Sequence, residues 1–203
     1  MQVFSINNGT LKAIFLSYGA TLHQLWIKDK YGKLVNVVKG LKNPHEYLLD
    51  NWCRGAVIGR YAGRLENPIQ VEKKIINIHN KNGVLLHSGR NGWNKQDWKV
   101  VIDKNPNCIH FEHTCIEETA GFPGTVKAKV TYLLKDNTLC INYISKTDAT
   151  THVNLTNHSY FNLNGNSPID EHLLQVKSDY ILELKENLVP TGKMLKVDNT
   201  NFD

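Results

Sequence analysis

Apolar and polar residues alternate with a period of two along much of this chain, the pattern of strands with one buried and one wet face. In Val126-Lys-Ala-Lys-Val-Thr-Tyr-Leu-Leu134, valine, alanine, valine and tyrosine fall on one side, and the lysines and threonine on the other. Strands are predicted over Leu11–Phe15, Thr21–Ile27, Leu34–Val38, Lys74–Ile78, Trp98–Ile102, Cys108–His113, Thr125–Leu134, Leu139–Ser145 and His172–Leu184. Turn signals punctuate them at Lys30–Lys33, Lys81–Gly83, Lys104–Asn107, Lys135–Asn137 and Asn164–Asn166, each rich in Asn, Gly, Asp or Pro. Only Asn43–Asp50 reads as helical, with Asn43 as cap and Pro44 at the first position. Many short strands between regular turns predict an all-β fold, a large antiparallel β-sandwich. With no internal repeat, low-complexity tract or linker, residues 1–203 are expected to form a single domain.

Composition narrows the classes of function. The 203 residues are 41% hydrophobic and 21% charged, ordinary for a globular protein able to bury a core. The formal net charge of +5 is mild, and the nearest approach to a basic run is Lys73-Lys74. A nucleic-acid partner would call for a clustered basic face, so none is expected. The N-terminus has neither the basic nor the apolar region of a secretory signal, and no apolar run nears the ~20 residues of a membrane helix. Cys53, Cys108, Cys115 and Cys140 are scattered singly. They are expected to be reduced thiols of a cytoplasmic protein.

The densest chemistry lies in Asn154-Leu-Thr-Asn-His158-Ser-Tyr-Phe-Asn-Leu163. Leu155, Tyr160 and Phe161 supply apolar surface, while Asn154, Asn157 and His158 supply hydrogen-bonding heads. On an ordered β element such groups suit a polar ligand in a semi-dry groove, and sugars, with hydroxyl rims and apolar faces, are such ligands. The plainer alternative is a strand end whose polar side chains are satisfied internally.

Three further segments change the balance. Gly55-Ala-Val-Ile-Gly-Arg60-Tyr-Ala-Gly-Arg64 places two arginines four apart in a small-residue segment. Leu86-His-Ser-Gly89 follows, leading into Gly92-Trp-Asn-Lys-Gln-Asp-Trp98. Gly121-Phe-Pro-Gly124 then precedes the alternating run at Val126. In this order the set resembles the aldose 1-epimerase (galactose mutarotase) family, and the similarity extends from Ser17–Thr21 to Pro190–Gly192.

The resemblance implies a mutarotase-like sandwich that interconverts the α and β anomers of free aldohexoses such as galactose and glucose. Ring opening needs a proton delivered to the ring oxygen and one removed from the hydroxyl on carbon 1. Proton transfer alone suffices, so no cofactor or metal is expected. His158 is expected as the general acid, since an imidazole can give and retake a proton near neutrality. His87 is expected to hydrogen-bond a sugar hydroxyl or the ring oxygen, Arg64 to hold hydroxyls with its planar fork, and Asn157 to contribute to substrate binding. Two positions depart from the family's usual form: Ser88 replaces a glycine after His87, and Gly63 replaces an asparagine common before Arg64. Arg60 is expected to be structural, paired with a carboxylate at a sheet edge.

The family's general base, a glutamate, and a hydroxyl-binding aspartate belong to segments not matched before Asp203. The chain is therefore expected to lack the C-terminal part of the sandwich and the base. Glu117, Glu118, Glu183 and Glu186 lie in unrelated contexts. A non-catalytic carbohydrate-binding relative, or a fragment lacking the base, remains the alternative. An epimerase of phosphorylated hexoses would need more cationic residues beside the motifs. Trp93 and Trp98 read as core. His110 and His113 point to opposite faces of a strand and do not share one ion. The oligomeric state is left open.

Overall fold

Alternation builds two four-stranded antiparallel sheets that face one another. The computed structural model describes residues 1–66, 68–76, 83–165 and 167–202. The first sheet runs in chain order through β1 (Val3–Asn7), β2 (Lys12–Leu16), β3 (Thr21–Lys28) and β4 (Leu34–Asn36). Short strands follow: β5 (Val57–Ile58), β6 (Arg64–Glu66), β7 (Ile69–Val71), β8 (Lys74–Ile76) and β9 (Val84–Leu86). The second sheet is β10 (Lys99–Ile102), β11 (Cys108–Cys115), β12 (Val126–Lys135) and β13 (Thr138–Thr147), again in chain order. β14 (Thr156–Asn157) pairs with β5, and β15 (Tyr180–Leu184) with β16 (Pro190–Lys196).

The core sits between the two large sheets. Ile6, Ala13, Phe15 and Leu22 from the first pack against Ile109, Phe111, Val126, Val130 and Tyr132 from the second. Phe15 lies 4.5 Å from Tyr132 and 6.0 Å from Phe111, centroid to centroid. Each large apolar side chain fully withdrawn from water contributes about 1.5–3 kcal/mol. Tyr132 is buried with its hydroxyl donating to the Ala20 carbonyl at 2.8 Å, so the one polar atom it brings inside is satisfied. Trp93 and Trp98 are core residues, 0% and 3% exposed, packed edge to face. The fold is an all-β sandwich, as the alternation predicted.

Several elements differ from expectation. Asn43–Asp50 does turn helical, but as a 3-10 helix over Pro44–Leu49. Asn43 Oδ1 accepts from the His45 amide, and Glu46 accepts from the Asn43 amide, a reciprocal cap. The strand expected over His172–Leu184 forms only at Tyr180–Leu184. Among the described residues its first half has no ladder partner, and Leu173, Leu174 and Val176 are exposed. A strand persists only where a neighbour takes up its backbone groups, whatever its side-chain pattern. Of the strand expected at Lys74–Ile78, residues 77 and 78 lie outside the described residues, as do Lys81, Asn82 and Asn166 of the expected turns.

Arg60 is the clearest correction. It does not lie at a sheet edge against a carboxylate. The residue is 0% exposed, and its guanidinium donates to the carbonyls of Cys115, Phe122, Pro123 and Gly124 and to Thr151 Oγ1. The Gly121–Gly124 turn presents its backbone oxygens inward, and a multi-donor planar cation suits several such acceptors at once. Arg60 thus fastens the segment after β5 to the turn before β12.

Candidate functional site

Two short β pairings bring the expected site residues together. β5 and β14 pair antiparallel, Val57 opposite Asn157, and the pairing continues past them. The His158 amide donates to the Ala56 carbonyl at 2.9 Å, and the Gly55 amide donates to the His158 carbonyl at 2.9 Å. Gly55 has φ +68°, and a Cβ there would lie 2.1 Å from the Leu22 carbonyl oxygen, so only glycine lets this segment lie so close to β3. In the second pairing, β6 and β9 set Arg64 opposite Leu86. The His87 amide then donates to the Gly63 carbonyl at 3.0 Å, which fixes His87 just beyond β9 beside Arg64.

The rings of His87 and His158 meet edge to face, with centroids 5.3 Å apart and planes at 87°. Tyr160 lies on the other neighbour of this pair, 5.2 Å from His158 at a shallow tilt of 35°. His87 Nδ1 accepts a hydrogen bond from the Gly63 amide at 3.0 Å. A neutral imidazole that accepts at Nδ1 carries its proton on Nε2, so His87 faces its surroundings as a donor. Burial holds the His87 pKa below the ordinary histidine value, and the neighbouring His158 and the Arg64 cation lower it further. Protonating Nδ1 would also set two donors against each other at Gly63.

His158 differs. Among the described residues, neither of its ring nitrogens has a hydrogen-bond partner, and no carboxylate bonds to His87, His158 or the Arg64 guanidinium. His87, His158 and Arg64 are each half-buried, and among the described residues His87 Nδ1 is the one side-chain nitrogen of the three with a hydrogen-bond partner.

Asn157 is placed otherwise. Its Nδ2 donates to the Gly55 carbonyl at 2.9 Å and to the Tyr132 hydroxyl at 3.3 Å. Its Oδ1 accepts from the Ser159 amide and hydroxyl. The head is committed within the protein, bracing the backbone on both sides of His158. Ser88, one of the two departures, is also committed: its Oγ accepts from the Tyr61 amide at 2.8 Å and donates to the Tyr61 carbonyl at 3.4 Å. His87 and Ser88 both adopt left-handed backbone, φ +53° and +60°. The role of Gly63 in fixing the His87 tautomer had no signal in the residue types, because it is carried by a backbone N–H.

Of the carboxylates considered in the sequence, Glu117 accepts from the Gly124 amide, Glu183 accepts from the Thr191 hydroxyl and Glu186 is exposed, while the side chain of Glu118 lies outside the described residues. His113 lies inside against Trp93 and Trp98, whereas His110 faces outward to Thr131 and Asp103, so the two do lie on opposite faces of β11.

A facing pair of four-stranded antiparallel sheets defines the class, a β-sandwich, and among the described residues the His158 ring and the Arg64 guanidinium make no hydrogen bond. The chain belongs to the aldose 1-epimerase family, whose model matches residues 2–203. It is 36% identical over 207 residues to the galactose mutarotase of Sus scrofa, covering 100% of this chain and 60% of that one. It is 34% identical to the aldose 1-epimerase of Streptococcus thermophilus, covering 97% and 58%. Among solved structures, an aldose epimerase homologue from C. elegans superposes with a TM-score of 0.94 at 33% identity, over 100% of this chain and 63% of that one. A galactose 1-epimerase from Lactobacillus acidophilus gives a TM-score of 0.84 at 26% identity, over 97% and 58%. The chain spans about 60% of the length of the curated relatives it matches. Among the described residues, no helix is long and apolar enough to cross a membrane.

Proposed function

We propose that this chain carries the acid side of an aldose 1-epimerase site and acts on free aldohexoses such as galactose or glucose. The observation that carries the reading is the His87–His158 pair, edge to face at 5.3 Å beside Arg64, with no carboxylate of the described residues bonded to any of the three. The two histidines divide the work. His158, with both nitrogens free of internal hydrogen bonds, delivers a proton to the ring oxygen as the bond from that oxygen to carbon 1 breaks. The proton on the carbon-1 hydroxyl leaves to a base, and the carbonyl forms. Rotation about the adjacent bond and the reverse steps give the other anomer. His87 stays neutral and donates from Nε2, orienting a hydroxyl or the ring oxygen, and Arg64 holds neighbouring hydroxyls through its fork. Asn157 acts through the backbone it braces. The four cysteines, all free, suit a cytoplasmic setting.

The base completes the pair only if a carboxylate outside these residues reaches the far side of the sugar. Without such a carboxylate a second reading holds, sugar binding without turnover by these 203 residues alone. Polarimetry of freshly dissolved α-galactose, with calorimetric binding in parallel, separates the two. Mutarotation faster than the buffer rate, reduced about 10²–10⁴-fold by His158→Ala, supports proton donation by His158. Saturable binding with no acceleration supports the binding reading. Acceleration that survives His158→Ala unchanged refutes the assignment of His158.

A further inference from the structure

We propose that Asp103, Cys108 and His110 form a binding site for a divalent transition metal, zinc by the character of its donors, that ties the β10–β11 turn to the outer face of the second sheet. Cys108 and His110 are two residues apart on β11, so they share a face, opposite to the core residues Ile109 and Phe111. The turn after β10 brings Asp103 over them. The three donor atoms lie within 4.8 Å of one another. His110 Nε2 faces both other donors, 2.6 Å from Asp103 Oδ2 and 3.8 Å from Cys108 Sγ.

These positions suit tetrahedral coordination. Zinc–nitrogen and zinc–sulfur bonds of about 2.0 and 2.3 Å place such a pair roughly 3.5 Å apart, within a few tenths of the His110–Cys108 separation. Asp103 would withdraw by roughly 0.7 Å to reach the corresponding nitrogen–oxygen spacing of about 3.3 Å. It lies in a turn, its side chain is 34% exposed, and its Oδ1 keeps the Asn105 amide. The fourth position would open toward solvent on the Asp103 side. His110 is already oriented from behind: Nδ1 lies 2.8 Å from Thr131 Oγ1. A threonine hydroxyl can accept from Nδ1–H, which frees the Nε2 lone pair for a metal, or donate to Nδ1 when Nε2–H bonds to Asp103.

Charge also closes. A thiolate and a carboxylate neutralise a divalent ion, with a neutral imidazole as third ligand. Binding releases the Cys108 thiol proton, while a neutral His110 moves its proton from Nε2 to Nδ1, where the Thr131 hydroxyl accepts it. The site shares no residue with the sugar site.

The test is cobalt(II) titration of the whole reduced chain. The expected result is one equivalent bound, with a thiolate-to-cobalt charge-transfer band in the near ultraviolet and intense visible bands of four-coordinate cobalt. Cys108→Ser and His110→Gln should each abolish the thiolate band, and Cys140→Ser and the His87→Ala/His158→Ala double variant should keep it. Circular dichroism verifies that each variant is folded. Zinc should displace cobalt and raise the melting temperature of the parent chain but not of the folded Cys108→Ser variant. Absence of the thiolate band at one equivalent, or its survival in either folded ligand variant, overturns the proposal.

Discussion

Replacing Arg60 tests the most consequential rearrangement that the structure imposes on the sequence. A surface arginine paired with a carboxylate would contribute about 0.2–1 kcal/mol, and added salt would screen it away. The buried clasp predicts otherwise. Arg60→Met removes a charged donor from four backbone carbonyls and a threonine hydroxyl, all 2.8–3.3 Å from the guanidinium nitrogens. Each buried acceptor left without a partner costs about 1–3 kcal/mol. The sum overstates the loss, because the substitution also relieves the desolvation of a buried cation and the Gly121–Gly124 turn can relax toward water. A net loss of about 3–5 kcal/mol is expected, a large share of a typical domain's stability. Arg60→Lys, with fewer donors and a shorter reach, should fall between. Urea unfolding followed by the fluorescence of the buried Trp93 and Trp98, at low and high salt, measures both variants. A loss below about 1 kcal/mol, or one that disappears in high salt, would refute the clasp.

Three further outcomes follow from named contacts. His23, His87 and His113 each have a pKa depressed mainly by burial, so below about pH 6.5 the unfolded chain binds protons that the folded chain resists. Stability should be full above that value and fall as pH drops through it, by at most about 1.4 kcal/mol per pH unit for each histidine; urea midpoints that rise on acidification would contradict this. A Cβ on Gly59 would lie 2.2 Å from Trp93 Cε3. Gly59→Ala should therefore destabilise by at least about 1–3 kcal/mol, and its cost should shrink when Trp93→Leu is already present; strict additivity in that cycle would argue against the clash. Ser88→Ala loses both bonds to Tyr61 yet keeps φ at +60°, whereas Ser88→Gly loses the same bonds and sheds the left-handed penalty. The alanine variant should be less stable than the glycine variant by about 1 kcal/mol, and the reverse order in thermal melts would count against the reading.

The long strands were legible because each has one wet face. β12 alternates buried and exposed residues almost without fault, and the sequence shows the same alternation. The two- and three-residue strands β5, β6 and β9 carry too few positions for any period, and their partners lie some twenty or more residues along the chain. At His172–Leu184 the apolar pattern was real, but a pattern reports side chains, whereas a strand also needs a partner's backbone. The same distinction explains Arg60, whose acceptors are mostly main-chain oxygens that no residue type announces. For the candidate site, the motifs pointed to His87, Arg64 and His158, and the structure brings His87 beside the other two. Asn157 showed the right chemistry in the sequence and a different engagement in the structure. Both ends of its amide are taken up by Gly55, Tyr132 and Ser159.

The two departures from the family's usual form fall on the same contact between loops, and they act in different ways. At position 63 the group that matters to His87 is the backbone N–H on Nδ1, which any residue but proline supplies. Glycine there leaves the tautomer of His87 untouched, removes a side-chain amide from a position where a Cβ would have nothing within 4 Å, and holds a φ of +95° that other residues adopt only under strain. At position 88 the added hydroxyl is consumed by the Tyr61 backbone and stiffens the connection between the His87 turn and the segment leading to Arg64. In the proposed mechanism the proton-donating geometry is thereby kept, while one potential contact to the sugar is lost. The consequence belongs to substrate affinity rather than to the chemical step: relative to a chain with asparagine at 63, KM should rise while kcat stays close, because an interaction made equally in ground and transition states changes binding and leaves the barrier from the bound state unaltered.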